Sequence, residues 1–333
     1  MAQTTVTDTL VRESAARIFA DLADPQALNA ARGDAWKAPL WSALEESGLT
    51  LAWVPEALGG AGASLQEGFD IVAEAGRHAA PVPIAETLLA GWLLSRAGLR
   101  SPRGPMAVVF SRSHSAVPFA SEAEHLVVVD GSRIGLIERK LCEISPVRGI
   151  GGDPLDAVTV RNVKFQDSKI QETEALLMGC VVRSVQIAGA LQSVLELALR
   201  YAGERVAFEK PIGRFQAVQH NLARLAEEVS AALAGSGSAA DAFCHSDKFN
   251  DELFLEAASA KIRCAEAAQE GAAIAHQIFG AIGYSDEHIL HRYTLRMLGW
   301  RDDFGNESWW AAELGRRVGR LGADGLWPLI SSR

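Results

Sequence analysis

The chain has 333 residues, 48% apolar and 22% charged, with a net charge of −9 from 32 basic and 41 acidic side chains. That composition belongs to a globular chain long enough for two or three packed domains. The acidic excess is spread out with no basic stripe, which excludes the footprint of a nucleic-acid binder, and no unbroken apolar run approaches the ~20 residues that span a bilayer.

Residues 1–8 are polar and have no apolar signal core, so export is not expected. Cys142, Cys180, Cys244 and Cys264 are far apart and fit no CxxC spacing. They read as buried free thiols in a reducing cytoplasm, with no metal.

From residue 7 to about 99 the pattern is helical. Leu10, Ala15, Ile18, Phe19 and Leu22 recur at three- and four-residue spacing, which puts them on one helix face. Trp41, Leu44 and Leu49 continue this pattern. The glycines at 59, 60 and 62 free the backbone to turn, and Ser64 is placed to cap the next helix. Two further helices are expected over 65–79 and 85–97, with Pro81 and Pro83 between them.

From 104 to about 170 short β-type runs take over, at 107–110, 126–129, 134–137 and 158–160, with Val163 and Phe165 following. Asp130-Gly131 and the stretch 149–154 separate them as turns. This predicts a small antiparallel β domain of ~4–6 strands.

From 172 onward the chain is helical again. One helix is expected over 176–207, and the next opens at 213–216 and carries Val218, Leu222, Leu225, Val229 and Leu233 on one face. Gly235-Ser236-Gly237-Ser238 is positioned to break it. Further helices are expected over 251–278, from near 285 to about 297, and over 309–321. Long helices with short links imply a bundle. Val194, Leu195 and Leu199, with Ile274 and Ile278, give it apolar faces on more than one side, which implies a partner surface.

Several residues stand out chemically. Arg205 follows a long helix and precedes Phe208 and Lys210-Pro211-Ile212-Gly213. Its guanidinium fork matches the paired oxygens of a pyrophosphate, and it equally suits a surface helix end. Gln277, with Gly280 and Gly283, offers an amide and an open backbone to a nucleotide, or an ordinary helix cap. His288 and His291 are three apart with no third metal ligand nearby in sequence, and they read as capping or solvated groups. The segment 300–310 gathers Asp302, Asp303 and Glu307 around Gly305, as helix caps or as chemical groups.

Taken together, three blocks resemble the acyl-CoA dehydrogenase family over nearly the whole chain. They are Leu51-Ala52-Trp53-Val54-Pro55-Glu56 with Gly59-Gly60, the stretch from Glu204 to His220 around Arg205, and Gln277-Ile278-Phe279-Gly280-Ala281-Ile282-Gly283-Tyr284. The resemblance implies a mainly α fold with a small β domain. A helical N-terminal domain (1–103) and a shortened antiparallel β middle domain (104–170) would precede a C-terminal four-helix bundle (171–333) that oligomerises. It also implies FAD, an acyl-CoA substrate whose Cα–Cβ bond is oxidised, and an electron-transfer flavoprotein as acceptor. Arg205 and Phe208 then fall where the family meets the FAD pyrophosphate and adenosine, and Gln277 and Gly280 fall at the adenosine end. In the family these contacts reach a flavin across a subunit interface.

The chain departs from the family where chemistry is done. No Thr-Glu-Pro-Gly-x-Gly-Ser-Asp-like loop for the flavin ring lies between 104 and 170. The usual base position falls on Phe304 and the alternative one on Val182. Asp303 and Glu307 are the remaining carboxylates near the usual position. With its short middle domain and missing base, the chain resembles the smaller subunit of heteromeric acyl-CoA dehydrogenases, whose larger partner carries the flavin ring and base. The competing readings are a self-sufficient homomer with Asp303 or Glu307 as base, and a flavin-free scaffold or acyl-CoA-binding protein. An aromatic ring at 304 is expected to close the pocket.

Overall fold

The computed structural model describes residues 6–331, apart from 32, 112–114 and 247; residues 1–5 of the polar N-terminus lie outside it. Five helices come first: α1 (Val6–Leu22), α2 (Pro25–Ala30), α3 (Lys37–Glu46), α4 (Leu65–Arg77) and α5 (Ile84–Arg96). Ala15 and Phe19 are buried as the spacing predicts, while Leu10 and Leu22 face outward, so the buried stripe of α1 is narrower than expected. Ser64 caps α4 in a reciprocal box. Its Oγ accepts from the Glu67 amide at 3.2 Å, and Glu67 Oε2 accepts from the Ser64 amide at 2.7 Å. Gly60 is required by close packing, because a Cβ there would stand 2.2 Å from the Val54 carbonyl. α5 is buried along nearly its whole length and forms the floor under the strands.

The strands are β1 (Met106–Phe110), β2 (Val117–Pro118), β3 (His125–Asp130), β4 (Arg133–Glu138), β5 (Glu143–Pro146), β6 (Leu155–Thr159) and β7 (Phe165–Asp167). They form one sheet of order β1-β3-β4-β7 and a second of order β2-β6-β5. The expectation of a purely antiparallel domain is corrected here: β1 runs parallel to β3, with Met106 opposite His125 and Phe110 opposite Val129. The chain between them does not turn back as a hairpin; it crosses to the second sheet, where β2 pairs with β6. The Asp130-Gly131 turn is a tight hairpin, closed by Asp130 opposite Arg133, with Gly131 at φ +62°.

α6 (Glu172–Glu204) follows, then the hairpin β8 (Val206–Ala207) and β9 (Lys210–Pro211), then α7 (Gln216–His245), α8 (Asp251–Phe279), α9 (Leu290–Trp300), α10 (Glu307–Leu321) and α11 (Ala323–Ser331). α6, α7 and α8 pack on one another, and α9 closes the bundle. The expected break at 235–238 does not occur. α7 runs through it, packed along α8 and α6, with Gly235 beside Ala260 at ordinary contact distance and Ser236 buried with its hydroxyl on the Leu233 carbonyl. Packing outweighs the ~1 kcal/mol that each glycine costs a helix. α9 starts later than expected, after a 3-10 turn over Gly280–Tyr284, and α11 had no sequence expectation. Val194, Ile274 and Ile278 are covered within the chain, which removes most of the expected second apolar face; Leu199, 52% exposed, remains.

By length and composition α6 is long and apolar enough to cross a membrane, a point hidden from a search for unbroken apolar runs by its interspersed small and polar residues. In the fold, 89% of its most apolar window is buried, as in a core helix. All four cysteines are free, but only Cys180 and Cys264 are fully buried; Cys142 and Cys244 are half-buried.

Candidate functional site

A cavity of about 850 Å³ opens between the β strands and the bundle. This is the size of a small-molecule or cofactor site, typically ~300–1,000 Å³. Its walls are Val108 and Phe110 of β1, Phe119, the loop 148–155, the first turn of α6, Arg183, the α9–α10 turn at 299–305, and Trp309. The loop is anchored by Asp153, whose Oδ1 accepts from Arg296 Nε at 2.9 Å, and by a close backbone approach in which a Cβ on Gly299 would stand 3.0 Å from the Gly151 Cα. Burial pushes the Asp153 carboxyl above its ordinary range, against the pull of Arg296 and Arg183.

Phe304 forms the inner end of this cavity. It sits at φ +56°, a left-handed conformation rare for a bulky residue, followed by Gly305 at +92°. Its ring lies over Gly179, where a Cβ would stand 2.8 Å from the ring, and meets Phe110 edge-on with centroids 6.1 Å apart. The Arg183 guanidinium lies 5.4 Å from the ring centroid. The expectation that this ring closes the pocket is therefore corrected: the ring forms a wall and the cavity remains open beside it. Val182 is buried in the core and does not line the cavity.

Beneath the ring lies a buried charge cluster. Arg183 Nε donates to Asp303 Oδ2 at 2.8 Å, Nη1 donates to Gln186 Oε1 at 2.5 Å, and Nη2 donates to Glu86 Oε1. Burial opposes the Arg183 charge, but Glu86 and Asp303 outweigh it and hold its pKa above the ordinary value. Burial pushes the Glu86 carboxyl up despite Arg183. Lys261, from α8, donates from Nζ to the carbonyls of Trp300 at 3.0 Å and Asp303 at 2.8 Å.

Of the two sequence candidates for a base, Asp303 lines the cavity with its carboxylate held by Arg183. Glu307 lies outside the lining, paired with Arg301 at 2.5 Å. Burial acts to raise the Glu307 pKa, but its hydrogen bonds and Arg301 prevail and leave it below the ordinary value. Neither carboxylate caps α10; Asn306 does, its side chain accepting from the Trp309 amide at 2.9 Å. His288 takes a capping role, its Nδ1 accepting from the Leu290 amide at the start of α9.

The residues singled out for a nucleotide gather at the far end of the bundle. Tyr201, one turn before Arg205, stacks on Phe279 with centroids 4.4 Å apart, which joins the ends of α6 and α8. Arg205 caps α6 and is exposed. Phe208 and Glu209 turn the β8–β9 hairpin with φ of +51° and +67°, and the Phe208 ring is 89% exposed. Gln277 is exposed on the last turn of α8, and Gly280, at φ +64°, has open space where a Cβ would stand. An exposed guanidinium, aromatic ring, amide and bare backbone fit the pyrophosphate–adenosine end of FAD. At 1.5 Å per residue, Arg205 lies about 33 Å along α6 from Arg183. The structure therefore brings Arg205, Phe208, Gln277 and Gly280 to one end of the bundle and leaves the cavity at the other. The Glu86–Arg183–Lys261 cluster had no sequence expectation; its signal was single charges inside apolar helices, such as Val181-Val182-Arg183-Ser184-Val185.

Residues 5–101 match the N-terminal domain of acyl-CoA dehydrogenases, and residues 171–307 match their C-terminal domain. The chain belongs to the acyl-CoA dehydrogenase family, whose members are FAD-dependent oxidoreductases of lipid metabolism. It is 29% identical over 304 residues to the acyl-CoA dehydrogenase IpdE2 of Mycobacterium tuberculosis, covering 87% of this chain and 90% of that one. Its fold is similar to a chain of the ChsE4–ChsE5 complex from M. tuberculosis, with a TM-score of 0.82 at 20% identity over 97% of this chain and 100% of the other. It is also similar to the Tcur3481–Tcur3483 steroid acyl-CoA dehydrogenase G363A variant, with a TM-score of 0.81 at 23% identity over 95% and 99%.

Proposed function

We propose that this chain is a subunit of an FAD-dependent acyl-CoA dehydrogenase that supports a larger, base-bearing partner, with FAD shared across their interface. The observation that carries this reading is the state of the base position. Phe304 presents a ring that takes no proton, and the two carboxylates considered as substitute bases, Asp303 and Glu307, are each held by an arginine. An ion-paired carboxylate is a weak base. The separation of the two ends, about 33 Å of helix, fits a flavin shared across an interface between chains. A flavin held by Arg205 and Gln277 would place its ring in another chain's cavity. Bound FAD supplies the hydride acceptor for oxidation of the acyl-CoA Cα–Cβ bond. In this chain Arg205 would meet its pyrophosphate, and Phe208, Gln277 and the Gly280 backbone would hold the adenosine. The assembly works in the cytoplasm and hands electrons to an electron-transfer flavoprotein.

The test is the flavin-to-protein ratio from the visible spectrum, for the chain alone and for the chain co-purified with a co-expressed, base-bearing acyl-CoA dehydrogenase chain from the same source. The expected result is a colourless chain alone and a yellow complex. Full flavin occupancy in the chain alone would instead support the self-sufficient homomer. Absence of flavin with the partner present would support a scaffold or acyl-CoA-binding protein.

A further inference from the structure

Lys261 is 0% exposed, on a helix otherwise rich in alanine. A lysine is almost never fully buried without a reason that offsets its desolvation. Its Nζ reaches out of α8 to the segment that leaves α9, where it donates to the Trp300 and Asp303 carbonyls. The next carbonyl, Phe304 O, accepts from Trp310 Nε1 at 3.1 Å. The Asp303 side chain accepts from Arg183. The turn that places Phe304 in a left-handed conformation is thus fastened from α6, α8 and α10 at once.

We propose that Lys261 is a positioning residue that fastens the α9–α10 turn and so fixes Phe304 and Asp303 as the inner wall of the cavity. The proposal goes beyond the assignment of a partner subunit and holds whichever chain carries the base. Without the two bonds, the segment has two buried carbonyls with one donor fewer each and a strained φ at Phe304, and the relaxed alternative is a turn that swings its ring and carboxylate off Arg183. The charged and titratable groups that face the ammonium are Asp303, Arg183 and Cys180 across the packing, Cys264 on its own helix, and Glu307 at the start of α10. Burial lowers the Lys261 pKa to about 8, against the attraction of Asp303. The neutral amine keeps two N–H donors, so the clasp survives loss of the charge.

The test is amide hydrogen exchange on the full chain, comparing wild type with Lys261→Met, which keeps the apolar stem and removes the donors. The amides of Arg301, Asp302 and Asp303, which donate within this turn, report the result directly. Exchange there is expected to accelerate by about tenfold or more in the variant, the equivalent of ~1.4 kcal/mol, with the amides of α7 unchanged. A side chain that only fills space predicts wild-type protection in Lys261→Met, and that result would overturn the proposal. Lys261→Gln, one bond too short to hold both carbonyls, gives the same readout if Lys261→Met does not fold; wild-type protection in it would overturn the proposal equally. In the wild type, protection of these amides corrected for intrinsic rate is expected to be the same at pH 7 and pH 9.5, and a tenfold loss at the higher pH would refute a clasp built on hydrogen bonds.

Discussion

Replacing Arg183 with methionine removes the hub of the buried charge cluster while keeping most of the volume. Three donated bonds are lost, and Glu86, 2% exposed, keeps a buried carboxyl whose Oε2 already lacks a partner among the described residues. Breaking a buried pair from one side costs ~3–5 kcal/mol, because the remaining charge is uncompensated. Glu86 can escape part of this by taking a proton. Its pKa is already above 4.5 in the fold, and it rises further when the guanidinium is gone. A carboxyl whose folded pKa lies above its unfolded one contributes stability that is complete below the unfolded value and is lost as pH rises through the folded value. Arg183→Met is therefore expected to lose ~3–5 kcal/mol at pH 8 and at least ~1 kcal/mol less at pH 5. Urea unfolding followed by far-UV circular dichroism, with wild type measured at both pH values, gives both numbers. Adding Glu86→Gln is expected to recover part of the loss at pH 8, since the more deeply buried of the two orphaned carboxylates loses its charge while Asp303 keeps its own. A loss below ~1 kcal/mol at pH 8, or equal losses at the two pH values, would refute this account of the cluster.

Other perturbations separate the remaining roles. Arg205→Ala is expected to weaken FAD retention in the assembled complex by roughly ten- to a hundredfold with assembly intact, read by flavin release on dilution; unchanged retention would place Arg205 in a purely structural cap. Asp303→Asn and Glu307→Gln are each expected to change turnover of the complex by no more than a few-fold at matched flavin content, whereas loss of a true general base costs ~10²–10⁴. A hundredfold loss in either would restore the homomeric reading. Gly179→Ala pushes a methyl into the Phe304 ring and is expected to cost ~1–3 kcal/mol in urea unfolding, with a changed near-UV spectrum from Trp309 and Trp310 beside the turn.

The sequence made the helices and strands legible where a short-range pattern governs them. The Ser64 cap, the Asp130-Gly131 hairpin and the alternation of helical and β texture each follow from local chemistry, and the structure has them. What escaped depends on contacts distant in the chain. The parallel pairing of β1 with β3 depends on a crossing to a second sheet, and the continuity of α7 depends on its packing against α6 and α8. The openness of the cavity beside Phe304 depends on a dent at Gly179, some 125 residues away along the chain. The motifs singled out Arg205, Phe208, Gln277 and Gly280, which the fold gathers at one end of the bundle; Glu86, Arg183 and Lys261 lie on three helices and meet only in the fold.

The unbroken passage of α7 through Gly235-Ser236-Gly237-Ser238 has a consequence for the order of assembly. These four residues are weak helix formers, and a chain that has not yet packed there has little reason to be helical. The alanine-rich α8 and the apolar α6 have much stronger local tendencies, and each is contiguous through the surface that α7 must cover. The middle of α7 is therefore expected to wind late, on a template already formed by its neighbours, with φ-values near zero for substitutions at 235–238 as the check. Substitutions that weaken this stretch then act mainly on how quickly the native bundle comes apart, and leave the speed of its formation nearly untouched.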